Sequence, residues 1–553
     1  MLPVLPRTAR CVVFACTLAG AALAQSNVIL GRDLRLQDTF WIDQYRRTGT
    51  YPNGVQAIGM WTVVCNPGTS PIPFQAPMNP LHAWIHYLVV REANGRLEQI
   101  SNWAWVKHTF GSSNDTSPCG TCQNPGLNFN FVMPGCSDTY ANYQAVDHFN
   151  LGPPEEIDPW LGVWNPVCSH FDQGNPPVAP AQQCDGIRSL DGAQAAVLNQ
   201  QIGDAMRVYD DDLTVPAANF YYQSAYLIPF EADALRGDNL GSRQFTATWN
   251  VGNQQWDLAD NSPFLQGTVL QRWTGASIDS GSNGNDDGRF YVAVKVTGPS
   301  NGRYHYEYAV QNRDNVRGMG AFRIPVCVDA QISGLGFHDF DRQALTDWSG
   351  AKVGNEIVFQ VNSLHPNPLR WNSIFNFWFD CDAAPLPGTT LLDQYDVGAG
   401  ALVVPVPSST PSGLWNQNLG AGCGVPGAPA LYGVGTPDRA AIPNASFALR
   451  STGNPANAPC GFLLSLVPGA TPLGGGCVAW TGDVLSLVGP LATVADAGGG
   501  TTLGLAVPNS PSLEGQTLDL QMINIVPGGA FLGAINLSNG LRVRIGNLIA
   551  GCP

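Results

Sequence analysis

The densest chemistry in this 553-residue chain lies between Trp103 and Pro154. Lys107-His108 together with Asp138 has the makings of a general acid–base site, provided that loops bring the three side chains together. His82 and His86 share a face whether the segment is strand or helix. With His108 they could offer neutral imidazoles to a metal ion. There is no His-Glu-x-x-His motif and no carboxylate at ligand spacing, so these histidines are expected to be partly buried and hydrogen-bonded, and no metal site is assigned. Cys65, Cys119, Cys122 and Cys136 match the ligand count of a structural zinc site. A redox Cys119-x-x-Cys122 would need a βαβ unit, whereas Pro118 and Asn124-Pro125 mark loop. Glu155-Glu156 on an extended chain would point to opposite sides, which rules out a facing glycosidase pair. No G-x-S-x-G elbow, P-loop or dinucleotide fingerprint occurs. Asn283–Gly288 looks like a calcium loop, but Val294 stands where an EF-hand needs a bidentate acid. That leaves at most a structural calcium at Asp286 and Asp287, and no other cofactor.

The elements that would carry these residues read as strands. Residues 83–92 form a strand, Asn94-Gly95 turns it, and residues 96–105 return. His82, Trp84, His86 and Leu88 then lie on one face. Arg289–Val296 and Arg303–Gln311 pair through a turn at residues 299–302. Tyr304, Tyr306, Tyr308 and Val310 share a face, as do Phe375, Phe377 and Phe379. One helix is expected, over Ala193–Met206, from the spacing of Val197, Leu198, Ile202 and Met206. Asn539-Gly540 between apolar runs reads as a hairpin.

With 62 glycines, 43 prolines and only 12% charged residues, the composition favours short strands joined by many turns. The expected fold is mostly β: a loop-rich disulfide-containing region at 25–190, a central β-sandwich at 191–403, a Pro/Ser linker at 404–413 and a small C-terminal β-sandwich at 414–553. Residues 1–24 carry Arg7 and Arg10, then an apolar core and Ala22-Leu-Ala24. That is the anatomy of a secretory signal peptide cleaved after Ala24. No later run is long enough for a transmembrane segment. A formal charge of −15 disfavours nucleic acid as a partner. Cys11 and Cys16 leave with the leader; of the remaining cysteines, eight precede residue 400 and four follow it. In an oxidising compartment Cys65, Cys119, Cys122 and Cys136 are expected to form two disulfides among themselves, in an order the sequence leaves open. Cys327 and Cys381 each end a strand of the middle region and are expected to bond. Cys423–Cys477 with Cys460–Cys552 is the expected arrangement at the C-terminus.

The strings VCNPGT (64–69), VKHTF (106–110), CQNPG (122–126), GCSDTY (135–140), LGPPEEIDPWLG (151–162), YEYAVQN (306–312) and NFWFDCDAAP (376–385) resemble an uncharacterised family of secreted β-rich bacterial proteins. The C-terminal segment resembles β-domains that recur at the ends of other such proteins. The resemblance carries no activity and no catalytic residue. It does imply that Cys168 and Cys184, which lie outside its recurrent cysteines, close on each other. It also implies a generic role for the C-terminal segment, such as export, sorting or surface attachment.

Taken together, the sequence points to a secreted or cell-surface protein. It is expected to be non-enzymatic, either structural or binding an extracellular polymer, carbohydrate or cell-surface component through aromatic-lined β surfaces. The alternative is a secreted hydrolase with a loop site near His82, His86, His108 and Asp138.

Overall fold

The computed structural model describes residues 28–173, 184–283, 287–301, 303–327, 330–383, 385–411, 416–436, 439–482, 487–513 and 516–547. The expected signal peptide therefore lies outside the described residues. The chain is mostly β, as its composition requires. Four antiparallel sheets stack face to face, because strands with two apolar faces need a layer on each side.

The first sheet pairs Arg35–Thr48 with Val55–Cys65, which Arg207–Tyr209 and Ser137–Tyr140 extend. The second runs in the order Gln255–Asp260, Leu240–Asn250, Asn219–Leu227, Ala83–Ala93, Val106–Thr109, Leu151–Gly152. Ile58 and Met60 of the first meet Ile85, Tyr87, Tyr222 and Phe245 of the second in one core. The even-numbered residues of 83–93 face the other way. Leu88 and Val90 join Tyr221, Ala293, Ala309 and Ile374, so the second sheet also packs on the third. The third sheet consists of Ser277–Ser282, Arg289–Ser300, Arg303–Asn312, Ser373–Cys381 and Ile332–His338. It closes a sandwich on the fourth sheet, built from residues 319–410, around Tyr306, Tyr308, Phe322, Phe359, Phe375, Phe377 and Phe379. The alternating aromatic residues are thus where their period of two places them.

Several expectations need correction. The second sheet crosses the break expected at residue 190, since Asn219–Leu227 pairs along its whole length with 84–92. Residues 404–410 are not a linker: Val403–Thr410 is a strand paired with Leu386–Gln394. Val404, Val406 and Thr410 are buried, while Pro405 and Pro407 point outward. Proline is tolerated there because the strand lies at a sheet edge and bonds on one side only. The helix spans only Gly192–Leu198. Beyond it, tertiary bonds outcompete helical ones. Trp105 N–H donates to Asp204 O (2.9 Å), Ile58 N–H to Met206 O (3.0 Å), and Asn199 Oδ1 accepts from His148 N–H (2.7 Å).

Asn94-Gly95 is a hairpin turn, with Ala93 opposite Arg96. Asn539-Gly540 is not. Gly533–Leu537 and Gly540–Arg544 both pair with Thr517–Gly529, and the register steps by one residue between them. The dipeptide is a bulge in one continuous strand. Asn539 bonds both backbone groups of Leu431, and a Cβ on Gly540 would lie 2.4 Å from the Trp480 side chain. This C-terminal sheet covers its own core of Phe447, Leu449, Phe462, Leu464, Met522 and Val543.

Cys65–Cys119, Cys122–Cys136, Cys168–Cys184 and Cys423–Cys477 are bonded. Cys381 and Cys460 are buried free thiols. Cys327 is disulfide-bonded, but not to Cys381. Cys460 is likewise not joined to Cys552, which lies outside the described residues. For Cys327 and Cys381, ending a strand did not suffice to make them partners. Cys381 sits inside the sandwich core, where its Sγ accepts from Ala383 N–H (3.3 Å), and burial pushes its thiol up to about 11.

Candidate functional site

The sequence-predicted residues are positioned by the strand Ala83–Ala93 and its neighbour Val106–Thr109, in which Trp84 lies opposite His108. His82 and His108 do meet. His82 Nε2 lies 2.8 Å from His108 Nδ1, so one ring donates to the other. Trp84, Trp164 and Phe171 enclose the pair. A Cβ at Gly152 would stand 2.8 Å from His108 Nε2, which explains a glycine there. Both rings are buried, and His82 Nδ1 and His108 Nε2 have no hydrogen-bond partner. Burial depresses His82 to about 3 and His108 well below its ordinary value, the latter aided by neighbouring positive groups. The pair is neutral and buried.

His86 belongs to a different arrangement. Its Nε2 donates to Ala104 O (2.9 Å), and its Nδ1 accepts from Asn372 (3.0 Å). Burial lowers it to about 4, against that bond. His82, His86 and His108 therefore do not converge on a common point, and among the described residues no group of three His, Cys, Asp or Glu is placed to hold a metal.

The acid–base set is also dispersed, for a reason inherent in strands. Lys107 and His108 are adjacent, so they leave opposite faces. Lys107 Nζ lies 3.9 Å from Asp147 and over the Tyr140 ring, and burial lowers it to about 8. Asp138 sits on the first sheet, accepting from Ser113 N–H (2.9 Å) and Oγ–H (3.1 Å); burial raises it to about 6. Glu155-Glu156 is a 3₁₀ turn rather than extended chain, with Glu156 accepting from His170 N–H (2.7 Å). Burial raises Glu156 to about 7. Asp287 pairs with Arg317 (2.8 Å), and Asp286 lies outside the described residues.

An arrangement that the sequence did not single out lies where the edge strand Arg35–Thr48 of the first sheet meets the edge strand Gln255–Asp260 of the second. The ladder between Arg35–Thr48 and Val55–Cys65 slips between Phe40 and Asp43. At that bulge Trp41 has φ 51°, a left-handed conformation rare for a bulky residue. Its N–H donates to Asp260 Oδ2 (2.7 Å), and its C=O accepts from Asn142 Nδ2 (3.0 Å). Asp260 Oδ1 in turn accepts from Tyr222 O–H (2.7 Å). Side chains from two distant segments thus replace the lost ladder bonds and hold the strained backbone. The result is an indole 63% exposed, meeting the edge of Trp61 at 5.3 Å between ring centroids. Trp41, Asp43, Trp61, Asn142, Leu258 and Asp260 line an open cleft of about 580 Å³. Asp43 faces it with one oxygen near Asn142 Nδ2 (3.3 Å), and burial raises its carboxyl. Nothing in the sequence marked Trp41, because the bulge depends on Asn142 and Asp260.

No family model and no curated protein matches the chain. Among solved structures it is similar to the crystal structure of BcpA, the major pilin subunit of Bacillus cereus, at 10% identity and a TM-score of 0.15. That match covers 63% of this chain and 87% of that one. An overlay this loose carries no argument about shared role.

Proposed function

We propose that this is an exported, non-enzymatic protein that binds an extracellular polymer through its β surface. One observation carries the reading. The side chains able to do acid–base chemistry are spent on internal contacts, while a strained backbone is maintained to hold Trp41 in solvent. Bulges that re-aim a side chain are a common device beside binding sites, and a 1–3 kcal/mol backbone strain persists only where surroundings enforce it. The disulfides fit an oxidising compartment. Among the described residues no helix is long and apolar enough to cross a membrane. The hydrolase alternative needs His82, His86, His108 and Asp138 at one solvent-filled site; Asp138 instead occupies a different sheet, and all four are buried.

Co-sedimentation of the full exported chain with insoluble polysaccharides and cell-wall material, run beside chromogenic ester, glycoside and peptide substrates, tests this. Retention on polymer without turnover is expected. Turnover that is abolished by His108→Asn would overturn it.

A further inference from the structure

We propose that the cleft between Trp41 and Trp61 is a subsite for an uncharged pyranose unit of a polysaccharide. This rests on the polymer-binding reading above and names the chemistry of its ligand.

A pyranose ring has an apolar C–H face and a rim of hydroxyl groups, so its complement is an exposed aromatic face beside polar side chains. Trp41 supplies the face. Asp260 and Asn142 hold its backbone N–H and C=O, and the indole rests edge to face against Phe40 (5.1 Å) and Trp61 (5.3 Å), so the backbone and the ring contacts together pre-organise it before binding. Trp61 and Phe40, stacked at 6.0 Å, form the wall behind it. Asp43 supplies the rim, an exposed carboxylate that can accept from hydroxyl groups. The volume falls within the roughly 300–1,000 Å³ of small-ligand clefts.

Charge narrows the ligand further. The lining residues include two carboxylates and no cation, so a polyanion would meet repulsion without a counter-charge. An ammonium group is also poorly served. Both oxygens of Asp260 already accept bonds, from Tyr222 and from Trp41. One oxygen of Asp43 already lies 3.3 Å from Asn142 Nδ2, which leaves a single open acceptor. A neutral sugar needs neither carboxylate as an ion; it needs acceptors beside an aromatic face, and both are present.

The test is affinity electrophoresis of the full exported chain in gels containing hydroxyethylcellulose, galactomannan, dextran or alginate. At least one neutral polymer should retard the wild type, and alginate should not. Trp41→Ala should weaken that retardation at least about ten-fold, as truncation of an aromatic anchor does. Trp41→Phe should retain most of it, and Asp43→Asn should weaken it by a smaller factor. Unchanged circular dichroism and melting of the variants separates site loss from misfolding. Equal retardation of wild type and Trp41→Ala would overturn this subsite and leave the polymer-binding reading standing. Retardation by alginate alone would overturn the neutral-sugar assignment. Failure of every polymer, soluble or insoluble, to bind the wild type would overturn both readings.

Discussion

His82 and His108 lie 2.8 Å apart inside a cage of Trp84, Trp164 and Phe171, while Trp41 stands beside Trp61 in open solvent. Both regions combine aromatic rings with polar side chains, and they use them in opposite ways. In the cage one ring nitrogen of each histidine bonds the other, the remaining two are enclosed without a partner, and the surrounding rings exclude water, so chemistry-bearing residues become packing. In the cleft the polar atoms of Asp260 and Asn142 hold a backbone that packing alone would not choose. Histidines close in space are thus no sign of an open site, whereas Trp41 is an aromatic ring displayed against its own preference. Burying an indole is favourable, and leaving it exposed forgoes about 25 cal/mol per Å².

The comparison breaks if the two regions respond alike to mutation. His108→Ala removes a ring packed against Trp164 and Phe171 and leaves His82 Nε2 unpaired, and should cost about 3–5 kcal/mol. Urea unfolding with the disulfides intact measures it. Asp43→Asn in the cleft should change the same transition by less than about 0.5 kcal/mol. Similar losses in both would mean that the cleft is core.

Acid sharpens the contrast. His82 and His86 are held by burial at about 3 and about 4, below the ordinary histidine value. The unfolded chain thus binds protons that the folded chain refuses. Their contribution to stability is complete above about pH 6.5 and declines as pH falls toward those values, by about 1.4 kcal/mol per pH unit for each group. Asp138, raised by burial to about 6, works in the opposite direction, because its contribution is lost as pH rises through that value. The rings are therefore best followed individually by NMR. His82 and His86 signals should stay constant from pH 8 to about 5. His305 should protonate first: it is raised by its hydrogen bond to Glu307 (3.0 Å) and also bonds Asp380 (2.8 Å). Titration of His82 near pH 6.5 would show that water reaches the cage.

A smaller effect addresses the strain at Trp41. Glycine accepts a left-handed φ without penalty and alanine does not, so Trp41→Gly should be more stable than Trp41→Ala by about 1 kcal/mol. Equal stabilities would mean that the bulge relaxes when the indole is removed. The smallest expected effect is none at all: iodoacetamide should label neither Cys381 nor Cys460 in the native protein, and both after denaturation without reductant. Native labelling of Cys381 would contradict its place in the sandwich core.

Much of the fold was legible where local pattern and tertiary demand agree. The alternation through Tyr304–Val310 and Phe375–Phe379 specifies one buried face, and both runs line the same core. Asn94-Gly95 has flanking strands free to pair with each other, so its turn preference was realised. The candidate site was legible only in part. His82 and His108 were read as neighbours and do meet, through a register that sets Trp84 opposite His108, whereas His86 turns to Ala104 and Asn372. The separation of Asp138 was not readable, because it depends on which sheet receives residues 137–140.

By itself the sequence determined the strand-rich class, the faces of the long alternating strands and the hairpin at residues 94–95. Each follows from backbone geometry that repeats every two residues or from φ preferences within one dipeptide. Only the tertiary structure decided that 404–410 is an edge strand, that Asn539-Gly540 is a bulge, and that Trp41 leaves its ladder. In each case the deciding group lies outside the segment: the preceding strand Leu386–Gln394 for the edge strand, and, far along the chain, Leu431 and Trp480 for the bulge and Asn142 and Asp260 for Trp41. A local preference of about 1 kcal/mol yields to several hydrogen bonds and a packed ring supplied from elsewhere, and those partners have no signature within the segment they control.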